Sequence, residues 1–473
     1  MKNLVLPLFL SGAWLSLFAT SSAFATDLYF RPEASGGYPA NGGTYTWNTS
    51  SSHWYTGAAG GTGQNWDNSA PGNALMSTAN GAFSVLLTED ITTKGIGIVG
   101  TVAAAAVITF SSSNTSDPVT LTFAPGSIIQ STSSSGRRLV FSEMDIAGDF
   151  SVAGRVSFNN VDFSGTITNT STGILQLSNQ TTANVVMTAG SVLEVQASSA
   201  SLSKLSGTGG TIRRAQANGT LTLNQASNTV WGGDLGGSAA NFKFTKSGVG
   251  TLIMNGGASH AIEQAVTVSE GSLYSNGTLA AGGNLTVASG ANLGGTMTSN
   301  KSVVLSASSS IITPGMASLD DQGNVKNQAG VLTLNAGLSG ANGGTFNFYL
   351  DGNDGNDGLL NSRIDITGGT VNLLGNKTVN LFGLGAGLLE SGVAYTLFDA
   401  DLATTRSEGW NAGWSLNANT TGYTVASFGF VGNELQVVFT IVPEPAGGIL
   451  LVGGLLFLLV LENRRRRAIC RLQ

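Results

Sequence analysis

Between Phe83 and Thr440 the chain is written in short runs in which every second residue is apolar. Val119, Leu121 and Phe123 alternate with threonine. Val152, Val156, Phe158, Val161 and Phe163 follow with polar residues between them and breaks in register. Ile174, Leu175 and Leu177, then Val185 to Met187, Val192 to Val195, and Leu221 with Leu223 continue the series. A period of two predicts strands with one buried face. No window from 27 to 440 carries a stripe of period 3.6, so helix is expected to be a minor part.

The runs share a start signal, a glycine just ahead of an apolar-x-apolar pair. It occurs at Gly173-Ile174, Gly190-Ser191-Val192, Gly219-Thr220-Leu221, Gly250-Thr251-Leu252, Gly271-Ser272-Leu273 and Gly330-Val331-Leu332. Glycine permits the positive φ of a tight corner, and an imperfect repeat of strand and corner is the mark of a solenoid. The fold class expected is all-β: a right-handed parallel β-helix over 83–330. A β-sandwich array is the alternative that periodicity leaves open.

Two flanking regions read differently. Residues 26–82 are rich in glycine and aromatics, with Trp47, Trp54 and Trp66 close together. They are expected to cap the open first coil, whose bare edge would otherwise template aggregation. The alternative is a stacking platform for sugar rings. Over 331–442 the strands are longer and their connections resemble hairpins, which predicts a closing β-sheet cap.

Composition sharpens the picture. Charged residues make up 10% of the chain and Gly 66 of its 473 residues, against a usual quarter charged and about 7% glycine. Ser, Thr and Asn fill the difference, and the regular aliphatic spacing argues for order in spite of it. The single cysteine, Cys470, lies near the C-terminus. An exported body without thiols must be held by backbone pairing and apolar packing.

The two ends carry export signals. Lys2, the apolar stretch Leu4 to Phe18 and Ala23-Phe24-Ala25 have the three regions of a secretory signal peptide, with cleavage expected after Ala25. At the other end Val442-Pro443-Glu444-Pro445 precedes Ala446 to Leu461, a run free of charge, and then Arg464-Arg465-Arg466-Arg467. As a helix, 446–461 would span about 24 Å, short for a hydrocarbon core of about 30 Å. The arginines would hold their end on the cytoplasmic side.

The order of these parts resembles the PEP-CTERM sorting signal. The resemblance implies a single C-terminal transmembrane helix at 446–461 within a sorting segment 443–473. It also implies a partner, an exosortase-type membrane protease that removes the tail. The protein would be anchored briefly in the inner membrane and then passed to the cell surface or an extracellular polysaccharide matrix. An ordinary, uncut tail anchor is the plainer reading, but it needs no Pro-Glu-Pro. Without 1–25 and 443–473 the chain loses Lys2 and five arginines against Glu444 and Glu462, so its net charge moves from −6 to about −10. An acidic, sparsely charged surface argues against nucleic acid as a partner.

A second stretch, Lys246-Ser247-Gly248-Val249-Gly250-Thr251-Leu252-Ile253-Met254-Asn255-Gly256, resembles the autotransporter-associated β-strand repeat. Its continuation is matched by Val266-Thr267-Val268 and Gly271-Ser272-Leu273, so one copy covers 243–273. This resemblance implies a β-helical passenger and carries no catalytic role.

Candidate chemistry is thin. Gly352 to Leu359 resembles one calcium nonapeptide, with Asp351, Asp354 and Asp357 as its ligands; calcium in such repeats is shared between successive turns, and one copy stands alone here. The expectation is a polar hairpin loop between the strands Phe346–Leu350 and Ile364–Ile366, with no metal and no cofactor. Carboxylates for a polysaccharide-cleaving site could come from Asp145, Asp149 and Asp162 beside Arg155, from Asp320-Asp321, or from Asp399 with Asp401. Single carboxylates on solvated turns are the simpler reading. His53 and His260 are too far apart in sequence to pair, and Arg137-Arg138 and Arg213-Arg214 read as solvated corners. The function expected is that of an exported, non-enzymatic surface or matrix protein. The alternative is a β-helical polysaccharide-binding protein or polysaccharide-degrading enzyme.

Overall fold

The computed structural model describes residues 26–441, except 34–35, 59–60, 78–80, 100–105, 132–137, 180–181, 197–198, 215–218, 237–242, 256–258, 263, 281, 351–360, 384–388, 402–403 and 419–422, together with 456–462 and 464. The chain is all-β, 60% strand against 2% helix. Among the described residues only four strand pairings are antiparallel, and every other pair runs parallel.

Parallel pairing over short sequence separations stacks the chain as coils. From Ser199 onward each coil contributes to three ladders. The first runs through Thr220–Asn224, Lys243–Ser247, Val266–Val268, Leu285–Val287 and Val303–Leu305. The second runs through Thr251–Met254, Ser272–Ser275, Asn292–Gly295 and Ile311–Pro314. The third runs through Ser259–His260, Thr278–Leu279, Thr298–Ser299 and Val331–Leu334. Register places like on like: Val266 pairs with Leu285 and Leu285 with Val303, while Leu273 pairs with Leu293 and Leu293 with Ile312. All six are buried, so the alternation read in the sequence becomes a continuous internal column of aliphatic side chains.

Nearer the N-terminus the column is aromatic. Phe110, Phe141 and Phe158 stack at 5.0 and 5.2 Å between ring centroids. Trp47, Trp54 and Trp66 close its end, mutually packed at 4.5 to 4.9 Å and 0 to 2% exposed. Trp66 Nε1 donates to the Thr92 carbonyl at 2.9 Å. The three rings plug the first coils, and none presents a face that a sugar could stack on.

The cap expected over 331–442 is corrected by the register. Val331–Leu334 pairs in parallel with Arg363–Ile366, and Gly344–Leu350 pairs in parallel with Lys377–Gly383, which pairs on to Trp414–Ala418. Coiling therefore continues across residue 331. The strands Phe346–Leu350 and Ile364–Ile366 belong to different ladders and do not pair with each other; Leu350 and Asn361 form an isolated antiparallel bridge, and the Ser362 amide donates to the Tyr349 carbonyl at 2.8 Å. The intervening segment, with Asp351, Asp354 and Asp357, lies outside the described residues. Among the described residues only Tyr423–Val431 and Glu434–Ile441 form a closing hairpin, its second strand laid antiparallel on Ala394–Ala400. A further hairpin, Ala317–Leu319 with Val325–Asn327, folds over the outer face of the second ladder and covers Ile253 and Tyr274.

The repeat-like stretch at 246–273 is a corner mechanism. Lys246 occupies an inward position and is fully buried, with Nζ donating to the carbonyls of Ser247 at 2.8 Å, Gly248 at 2.7 Å and Glu270 at 3.3 Å. Those acceptors turn inward because Gly248 and Gly271 take φ of +74° and +64°, and a Cβ at Gly271 would collide with the carbonyls of Gly248 and Gly250. Lys301 and Lys377 do the same work elsewhere: both are buried, Lys301 donating to Gln264 and Gly282, Lys377 to Leu373.

Candidate functional site

Most of the sorting segment lies outside the described residues, as do Ala23 and Ala25. This holds for Val442, Pro443, Glu444 and Pro445, and for Arg465, Arg466 and Arg467. Leu456–Glu462 and Arg464 are helical, with Leu456 to Leu461 each 47 to 65% exposed. Among the described residues no helix is long and apolar enough to cross a membrane. The span expected at 446–461 is described only from Leu456 onward.

The carboxylates anticipated as chemistry are distributed by register. Asp145 and Asp162 stand side by side on neighbouring strands. Burial raises the Asp145 carboxyl, and the charges of Asp162, Asp117 and Asp90 push it further. Asp149 is not aimed at them: it accepts the Thr166 amide at 2.8 Å. Arg155 leaves the group altogether. It reaches Glu194 at 3.0 Å, and Arg213 reaches the other oxygen of Glu194 at 2.7 Å. Burial drives Glu194 upward, but hydrogen bonds from Arg213, Gln176 and Arg155 outweigh it and hold the carboxyl below its usual range. Arg213 is thus an ion-pair partner and not a solvated corner. Asp320 is spent on its own turn, accepting the amides of Gln322 and Asn324 at 3.0 and 2.8 Å.

One convergence was invisible in the sequence. Asp365 pairs in register with Asp399, and Asp399 with Glu434 of the closing hairpin. The three carboxylates line a cleft of about 460 Å³ that also takes in Asp401 and Asn433. Two of the three are already engaged. Arg363 grips Asp365 through contacts of 2.6 and 2.8 Å, and Glu434 accepts from Thr396 at 2.9 Å and Gln436 at 2.7 Å. Asp399 is left between them, raised by burial and then by the charges of Asp365 and Glu434, with Arg363 partly opposing. Among the described residues no group of His, Cys, Asp or Glu has the geometry to hold a metal ion.

The histidines are structural. His260 is fully buried and its Nδ1 accepts the Leu235 amide at 3.2 Å; burial lowers its pKa, against the charge of Asp234. His53 packs its edge against Phe30, with centroids 6.0 Å apart. Comparison with models of known protein families, and with curated proteins, finds no match to this chain.

Proposed function

We propose that this is an exported, non-enzymatic protein of the cell surface or extracellular matrix, a right-handed parallel β-helix delivered by a C-terminal sorting signal. The observation that carries the reading is the segment itself, Pro443-Glu444-Pro445, then 446–461 without charge, then Arg464 to Arg467. Proline fixes φ and removes amide donors, so the stretch before 446 stays extended and open to a membrane-embedded protease. The arginines hold the substrate in register by refusing to cross. The expected partners are an exosortase-type protease, the membrane before cleavage, and extracellular polysaccharide afterwards. An acidic body gives nucleic acid no footing. The stacked coils support the reading, because they supply a long, sparsely charged surface of the kind a matrix component needs.

The test is replacement of Pro443, Glu444 and Pro445 by alanine. Export should persist, while the protein stays in the inner membrane with its arginine cluster attached. Surface delivery of the variant, trimmed as the parent is, would sink the proposal.

A second reading, hydrolysis of a polysaccharide, draws on the Asp365–Asp399–Glu434 cleft. The upward shift of Asp399, from burial and the neighbouring charges, is in the direction an acid catalyst needs. Its test is release of reducing ends from matrix polysaccharide, abolished in Asp399→Asn. Polysaccharide left intact by the parent protein would end it.

A further inference from the structure

The outer face of the second ladder in its last coils joins two rows of side chains. Asn347, Asn380 and Asn417 are register partners. Asn380 donates to Asn347 at 2.8 Å and Asn417 to Asn380 at 3.3 Å. Two residues along, Tyr349 and Phe382 form a parallel stack with centroids 5.0 Å apart and planes 21° from parallel. Phe382 is 38% exposed, an uncommon state for a phenylalanine on this surface. At the other side Asn327, from the hairpin that folds over this ladder, donates to the Tyr349 hydroxyl at 2.9 Å and fixes that ring.

Resting on the polysaccharide partner proposed above, we infer that this face binds a neutral, extended β-linked glycan, with its rings against the aromatic row and its hydroxyls along the amide row. Four features select that ligand. An amide has two N–H donors and two acceptor lone pairs, and the ladder uses about one of each per neighbour, so every asparagine keeps a donor and an acceptor for solvent. Sugar hydroxyls, which donate and accept, match such a row. The ladder repeats about every 4.8 Å, close to the length of one sugar ring along an extended chain, so contacts made on one coil can recur on the next. The outward positions of these strands (Thr345, Asn347, Tyr349, Thr378, Asn380, Phe382, Ser415 and Asn417) carry no charge. That favours a neutral polymer over an anionic one. Tyr349 and Phe382 turn a face to each other, so the stack offers the glycan its outer rim, an apolar strip against which the C–H groups of a flat, equatorially substituted pyranose can pack.

The test is affinity electrophoresis of the full chain, in mild detergent, through gels containing hydroxyethylcellulose, xylan or alginate. The neutral polymers should retard it and alginate should not. Phe382→Ala and Asn417→Ala should each weaken retardation, about tenfold for the phenylalanine. Both positions are exposed, so melting temperature should hold. Ile128→Ala, a similarly exposed apolar residue on an early coil, should migrate as the parent does. Unretarded migration in both neutral gels, stronger retardation by alginate, or undiminished retardation of both variants would overturn the inference. Those outcomes leave the sorting proposal untouched, since that is read from the fate of the tail.

Discussion

The ammonium nitrogen of Lys246 donates at 2.7 Å to the carbonyl of Gly248, two residues further round the corner that the lysine itself closes. A charge sits inside the coil because three backbone oxygens converge there; the Ser247 oxygen also accepts the Gln225 amide at 3.2 Å, so it is the carbonyls of Gly248 and Glu270 that depend on the lysine. Lys246→Met fills about the same volume and removes the ammonium donor. An orphaned buried acceptor costs about 1–3 kcal/mol, so the variant should lose about that much stability, a loss that urea unfolding followed by circular dichroism would measure. Stability equal to the parent would mean that the carbonyls find water.

The same lysine sets an alkaline signature. Burial lowers its pKa from 10.5 to about 8, against a smaller opposing effect of Glu270. Between those values the unfolded chain holds more protons than the folded one, so this group makes stability rise with pH across the window. Below it both states are protonated and the contribution is flat. The stability difference between parent and Lys246→Met should therefore grow from pH 8 to pH 10, by on the order of 2 kcal/mol. A flat difference would place the amine in contact with solvent.

Asp399 should behave in the opposite sense. Its carboxyl is raised by burial and by Asp365 and Glu434, so its ionisation costs stability as pH climbs through the raised value. Asp399→Asn should raise the melting temperature at pH 7 and change it little at pH 3. The side chain is partly solvated, so the gain should stay below about 1 kcal/mol. A lower melting temperature at pH 7 would show that the carboxylate is held by a partner.

Calcium should have no grip on 351–360. The motif occurs once, and the strands on either side of it run in different ladders. Thermal melts with excess calcium and with chelator should coincide. A calcium-dependent rise abolished by Asp354→Ala with Asp357→Ala would refute this.

How much of this was legible beforehand varies along the chain. The strands were, because a period of two survives wherever one face meets the core, as at Leu121 and Phe123. The burial of Trp47, Trp54 and Trp66 was legible too, since a solenoid must cover its open end. The continuity across 331 was not. Inserted stretches such as 317–327 lengthen the coils, so partners like Thr298 and Thr333, or Val303 and Leu338, fall at spacings that no fixed repeat reveals. For the same reason Asp365 and Glu434 could not be joined to Asp399. Lys246 was visible only as a motif letter, because an inward lysine breaks the apolar pattern and its reason lies in carbonyls on the adjacent corner.

The central claim is that both ends of the chain are removed on the way to the surface, and intact-mass measurement of the surface-released protein tests it most directly. The expected species begins at Thr26 and has lost Arg464 to Arg467 together with Cys470. A released or surface-held species whose mass still contains the arginine cluster would contradict it.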